Sequence, residues 1–189
     1  MTNLDATTMV LVLALGNLAL CALLTFYDQG PPRPGNTQPA LVAWSLSKQV
    51  QAGAWTLLAL GGPGVVPEAL ALPGGYALLL AGVAIEAGAS WQAAGRDGWR
   101  RPTLVAGSLA ILVFFVCYLI DEQGLRSLAA SLLLGALYLN GAAALGARWR
   151  EASLLQRFLA LVTAVLALVV AARSRASSSM PKAFASIRR

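Results

Sequence analysis

Histidine is absent from this chain of 189 residues, and cysteine occurs only twice, at Cys21 and Cys117. Without histidine there is no imidazole general base and no Cys/His zinc site. The two cysteines both sit inside apolar runs and read as small buried side chains rather than as a disulfide. Charge is scarce as well, with Asp, Glu, Lys and Arg together making 12% of the residues. A soluble domain of this size needs a polar coat over its surface, and so little charge does not supply one. Catalytic signatures are also lacking. Gly61-Gly62-Pro63-Gly64 is a turn and not a phosphate loop, no Ser or Cys has a base partner, and Asp121-Glu122 reads as a solvated turn. No enzyme activity, metal site or cofactor is expected.

What the chain has in quantity is apolar sequence. Hydrophobic residues make up 58%, and the mean hydropathy is +0.68. A spanning helix needs roughly 20 mostly apolar residues, and candidate spans lie at Thr8–Tyr27, Ala40–Gly61, Gly75–Ala94, Thr103–Ile120, Ser127–Ala147 and Leu154–Ala172. Backbone polar groups in lipid must pair within their own segment, so the spans are expected to be helices. Continuous runs such as Met9-Val10-Leu11-Val12-Leu13-Ala14-Leu15 lack the alternation of a β-barrel. The expected architecture is all-α, an integral membrane up-and-down bundle of about six transmembrane helices over residues 1–173, followed by a basic, disordered tail at 174–189. The first span is read as a retained helix, because the residues before it carry Asp5 and no Lys or Arg, the reverse of a signal peptide.

The net charge of +6 falls mostly in the connections and the tail. Its role is read as topology setting and contact with anionic headgroups of the bilayer, with no nucleic-acid partner. Arg33, Arg96, Arg100, Arg101, Arg148, Arg150 and Arg157 belong to the odd connections, against Arg126 alone in the even ones. The positive-inside rule therefore places the odd connections in the cytoplasm and the N-terminus outside. The tail conflicts, since six spans put Arg173, Arg175, Lys182, Arg188 and Arg189 outside as well. Either the last segment does not span, or the tail departs from the rule, or the natural chain continues into a seventh span.

Ionisable groups within a span cost about 2.5–3.5 kcal/mol each on insertion scales. Two lie well inside, Lys48 in span two and Glu86 in span three. Both sit eight residues from the same end of a helical hairpin, about 12 Å deep. Equal depth on antiparallel neighbours predicts an ion pair. Three roles remain open: a structural pair that pins register, a ligand, ion or proton site, and snorkelling of Lys48 to the interface. Gln51 and Trp55 share the Lys48 face by helical spacing, whereas Gln92 falls on a different side of its helix from Glu86. Asn17, Gln49 and Asn140 fall at similar depths, so the candidate ligand or ion-pair residues are Lys48, Glu86, Gln51, Asn17 and Asn140. Ala84 with Gly88, Ala142 with Gly146 and Ala52 with Gly53 permit close helix approach, within the bundle or at a homodimer seam. Phe26, Tyr27, Trp44, Tyr76, Trp91, Trp99, Tyr118 and Trp149, near span ends, read as an interfacial belt.

Four stretches carry a family resemblance. They are Asn3-Leu4-Asp5-Ala6-Thr7-Thr8, the run Ala43-Trp44-Ser45-Leu46-Ser47-Lys48-Gln49-Val50-Gln51-Ala52-Gly53-Ala54-Trp55, the segment from Val66-Pro67-Glu68 through Tyr76 to Glu86 and Trp91, and Asp121-Glu122-Gln123-Gly124-Leu125-Arg126. Together they resemble the N-terminal membrane-sensing region of bacterial diguanylate cyclases of the GGDEF class. In that family a seventh helix leads to a cytoplasmic domain that makes cyclic di-GMP. This chain has no Gly-Gly-Asp/Glu-Glu-Phe signature and no room for that domain, so cyclase activity is not implied. What the resemblance implies is a sensor region without its effector, as a fragment, a truncated product or a stand-alone relative, in the bacterial cytoplasmic (inner) membrane.

Two functions are therefore expected to compete. One is a membrane sensory or anchoring module that binds an unspecified ligand or senses the bilayer and moves a partner. The other is a small structural or assembly subunit of a larger membrane complex. A transporter lacks an inverted repeat here, and a channel lacks a filter.

Overall fold

The fold was analysed in a computed structural model. It describes residues 2–28, 38–96, 98–120, 123–147, 154, 157–158, 160–165 and 167–168. Among these residues all regular structure is helical. The helices are α1 (Thr2–Asp28), α2 (Gln38–Gly61), α3 (Glu68–Ala93), α4 (Arg100–Leu119) and α5 (Gln123–Gly146). The described residues between 154 and 168 are helical as well. The tail at 174–189, with its conflicting charges, lies outside the described residues.

Among the described residues, three helices are long and apolar enough to cross a membrane: Glu68–Ala93, Arg100–Leu119 and Leu125–Gly146. The apolar part of α1, Val10–Phe26, is shorter. Helix α2 has the length but not the apolarity, because Ser45, Ser47, Lys48, Gln49 and Gln51 fill its middle. The expected count of six spans is thus carried by three helices on length and composition. Their outer surfaces fit lipid rather than water. On α4 the buried residues Thr103, Gly107, Ala110 and Phe114 form one stripe at helical spacing, while Leu104, Val105, Leu109, Leu112 and Val116 are exposed. A soluble helix would place polar residues on that outer face.

Helix α3 is the centre of the arrangement. Among the described helices α1 packs on α2 alone, whereas α3 packs on α2, α4 and α5, and α4 and α5 touch each other. The core joins Leu79, Leu80, Val83 and Ala84 of α3 to Ala54 of α2, Ala110 and Phe114 of α4, and Leu134 and Leu137 of α5. The Tyr76 and Phe114 rings lie 5.2 Å apart, tilted, at one end of it.

The α2–α3 hairpin starts earlier on its second arm than the Pro and Gly residues predict. Span three was expected from Gly75, with Gly62–Gly74 as a connection. The helix instead begins at Glu68 and runs through Pro73, Gly74 and Gly75. Contact with α2 overrides the local turn signal. A Cβ on Gly75 would lie 2.5 Å from Leu58 Cγ, and one on Gly61 2.5 Å from Ala71 Cβ. The missing side chains let the two backbones run side by side, the small-residue logic of membrane helix pairs. Similarly α5 starts at Gln123, so Gln123–Arg126, read as part of a loop, opens a helix.

Candidate functional site

The antiparallel register of α2 and α3 pairs positions whose numbers decrease on one helix as they rise on the other. Gly61 meets Ala71, Leu58 meets Gly75, and Gln51 and Ser47 meet Gly82. One turn further along, Lys48 meets Glu86. A Cβ on Gly82 would fall 2.7 Å from Gln51 Cγ, 3.2 Å from the Gln51 backbone nitrogen and 3.2 Å from the Ser47 carbonyl. The close approach at Gly82 is what brings two helices near enough for short side-chain contacts at the next turn.

There the Lys48 ammonium donates to Glu86 Oε2 at 2.7 Å, and the Gln51 amide donates to the same oxygen, also at 2.7 Å. Gln51 is buried, at 3% exposure. The charged side chains are less so, Lys48 at 16% and Glu86 at 26%. Both donors converge on one carboxylate oxygen, and no described residue bonds Oε1. An ammonium carries three donors and a carboxylate two acceptor oxygens. The trio therefore keeps hydrogen-bonding capacity in reserve for a polar ligand, water or a proton. Ser47 is fully buried beside it, its hydroxyl turned back to the Trp44 carbonyl at 2.7 Å. On α3, the Ser90 hydroxyl donates to the Glu86 carbonyl at 3.0 Å. Tyr138 of α5, partly buried against the core, lies within electrostatic reach of Glu86.

The other candidates are elsewhere. Asn140 accepts from the Trp91 indole at 3.1 Å, an α5–α3 contact separate from the Lys48 trio. Trp91, read as a belt residue, is thus also an interhelical donor. Asn17 donates to the Leu13 carbonyl of its own helix at 2.9 Å. Gln49 points to the opposite side of α2 from Gln51, where its amide donates to Cys21 Sγ at 3.4 Å. The Ser45 hydroxyl lies 3.4 Å from both Cys21 Sγ and Thr25 Oγ1, giving α1 and α2 a second polar seam. Of the five candidates, then, Lys48, Gln51 and Glu86 form one site, and Asn17 and Asn140 do not join it. Sequence reasoning missed Gly82, Ser90 and Tyr138. Only Gly82 had a readable signal, as one more small residue on a helix rich in them.

No group of three or more His, Cys, Asp or Glu that could hold a metal occurs among the described residues. Compared with known proteins, the chain matches no protein-family model, no curated protein and no solved structure.

Proposed function

We propose that the chain is a membrane-embedded sensory or anchoring module in which the Lys48–Gln51–Glu86 trio is the responsive element. The observation that supports this reading is the convergence of two donors on one oxygen of a partly exposed carboxylate. A pair serving register alone gains most when sealed and fully satisfied. Here the charged members stay partly open. A ligand that took that oxygen, or a proton on Glu86, would weaken the Lys48 contact and shift α2 against α3. Such movement is what a sensor must pass to a partner. The resemblance to the membrane region of GGDEF-class cyclases agrees with this role, which requires no catalytic residues in the chain.

The setting belongs to the same proposal: six spans in a bacterial cytoplasmic membrane, N-terminus outside, with a partner protein or second copy receiving the movement. Its test is a thermal-stability screen of the purified protein against lipids and metabolites. A hit should raise the melting temperature of the wild type and leave Glu86→Gln unmoved. Silence across a broad set, together with co-purification in fixed stoichiometry with other membrane subunits, would replace this reading with that of an assembly subunit. A reporter fused after Arg189 and active on one side only tests the topology, and an external signal is expected.

A further inference from the structure

A groove of about 740 Å³ runs between α4 and α5, lined by no residue of the Lys48 trio. Its walls are apolar: Leu109 and Val113 on α4, Leu133 and Leu137 on α5. It is half open rather than enclosed, and Leu109 is 57% exposed along it. From Thr103 to Val113 it follows α4 for about 15 Å, close to half of a hydrocarbon core roughly 30 Å thick. The groove thus has the reach of one leaflet.

One end is chemically different. Trp91, Arg96, Trp99 and Asn140 close it. Arg96 is held there by the way α3 stops. Gly95, at φ 72°, takes the left-handed conformation, and its N–H bonds the Gln92 carbonyl while the Arg96 N–H reaches back to the Trp91 carbonyl. These are the two bonds of a Schellman ending. The turn sets the Arg96 guanidinium over the Trp91 ring, 4.9 Å from its centroid. Trp99 packs against Gly88 and carries Arg100 5.9 Å from its own ring. Arg96 lines the mouth itself, and Arg100 and Arg101 follow it closely in the chain. Asn140 has only its oxygen engaged, by Trp91, so its two N–H donors have no described partner in the groove wall.

From this we infer that the α4–α5 groove binds one anionic phospholipid. An acyl chain lies along Leu109, Val113 and Leu137, and the phosphate sits at the Arg96–Trp99 mouth. Charge complementarity selects this occupant over a neutral lipid or an apolar helix. A helix would bring no anion to the arginines, and a neutral lipid would gain nothing from them beyond its phosphate. Basic pockets between spanning helices are suited to such headgroups because the phosphate remains at the interface while the chain stays in hydrocarbon. The inference stands on residues apart from the proposed sensory trio, so its failure and the failure of that reading are distinguishable.

The test uses the full chain in nanodiscs whose lipids carry brominated acyl chains, which quench tryptophan at contact. Brominated phosphatidylglycerol should quench more strongly than brominated phosphatidylcholine at equal mole fraction. Arg96→Gln, an exposed change that leaves the fold intact, should weaken the preference about fivefold. Ala136→Phe, which fills the groove from α5, should abolish it. Equal quenching by both lipids overturns the inference. A preference that survives Ala136→Phe overturns it too, by showing general attraction of the bilayer to basic loops. Competition by inorganic phosphate alone, or crosslinking of Ala136→Cys between two copies, would assign the groove to a free anion or to a dimer instead.

Discussion

Removing Glu86 should cost more than removing Lys48, and removing both should cost less than the two losses added together. Glu86→Ala deletes the oxygen that receives both the Lys48 ammonium and the Gln51 amide at 2.7 Å. It leaves a cation at 16% exposure and a buried amide without their acceptor. Breaking a buried pair from one side costs about 3–5 kcal/mol, mostly through the charge left behind. Partial exposure and snorkelling of the lysine place Glu86→Ala at the lower limit, about 3 kcal/mol. Lys48→Ala leaves Glu86 still bonded to Gln51 and able to take a proton, so about 2 kcal/mol is expected. The double variant leaves only Gln51 wanting a partner. Its cost should fall short of the sum by about 1.5 kcal/mol, near the upper end of coupling measured for polar pairs in membrane bundles. The assay is reversible unfolding in mixed micelles for wild type, both singles and the double. Additivity within about 0.5 kcal/mol would refute the reasoning, because groups in contact do not add.

Two further expectations use the same unfolding assay. Gly82→Ala should destabilise by about 1–3 kcal/mol, because its Cβ would meet Gln51 Cγ at 2.7 Å and two backbone atoms at 3.2 Å. Gly53→Ala should be neutral or stabilising by up to about 1 kcal/mol, since nothing lies within 4 Å of its added carbon; equal costs at the two glycines would remove the close-approach account. Phe114→Ala should cost more than Phe115→Ala, because Phe114 is 1% exposed inside the core and Phe115 38% exposed on the outer face. Lipid replaces water as the reference for both rings, so the difference of about 1–3 kcal/mol is packing rather than transfer from water, and reversal of the order would mean that α4 faces the bundle with its other side.

The Lys48–Glu86 contact was legible because charge inside an apolar run is conspicuous and helix geometry converts residue counts into depth. Gln51 joined it for a related reason, since a spacing of three keeps it on the Lys48 face. Asn17 was no less polar and no less deep, yet its amide is satisfied one turn back on its own helix. A local bond and an interhelical one leave the same trace in a sequence. Tyr138 was missed because an aromatic residue in an apolar helix reads as core, and its proximity to Glu86 depends on how α5 lies against α3.

The sequence by itself determined the helical class, the apolar exterior and the pairing of Lys48 with Glu86. The class and the exterior follow from composition and from the bonding rules that a hydrocarbon solvent imposes on any backbone. Which helix lies at the centre was decided only in three dimensions. Chain order makes α3 a neighbour of α2 and α4, but α5 packs on it too: a Cβ on Gly141 would lie 3.6 Å from Ala87 Cα, and Asn140 is bonded to Trp91. The run of α3 through Pro73-Gly74-Gly75 was likewise settled by packing on α2, against a local signal that reads as a turn. Helix ends and helix neighbours depend on contacts between residues far apart in the chain, and an apolar surface pattern satisfied equally by lipid and by another helix does not reveal which of the two covers it.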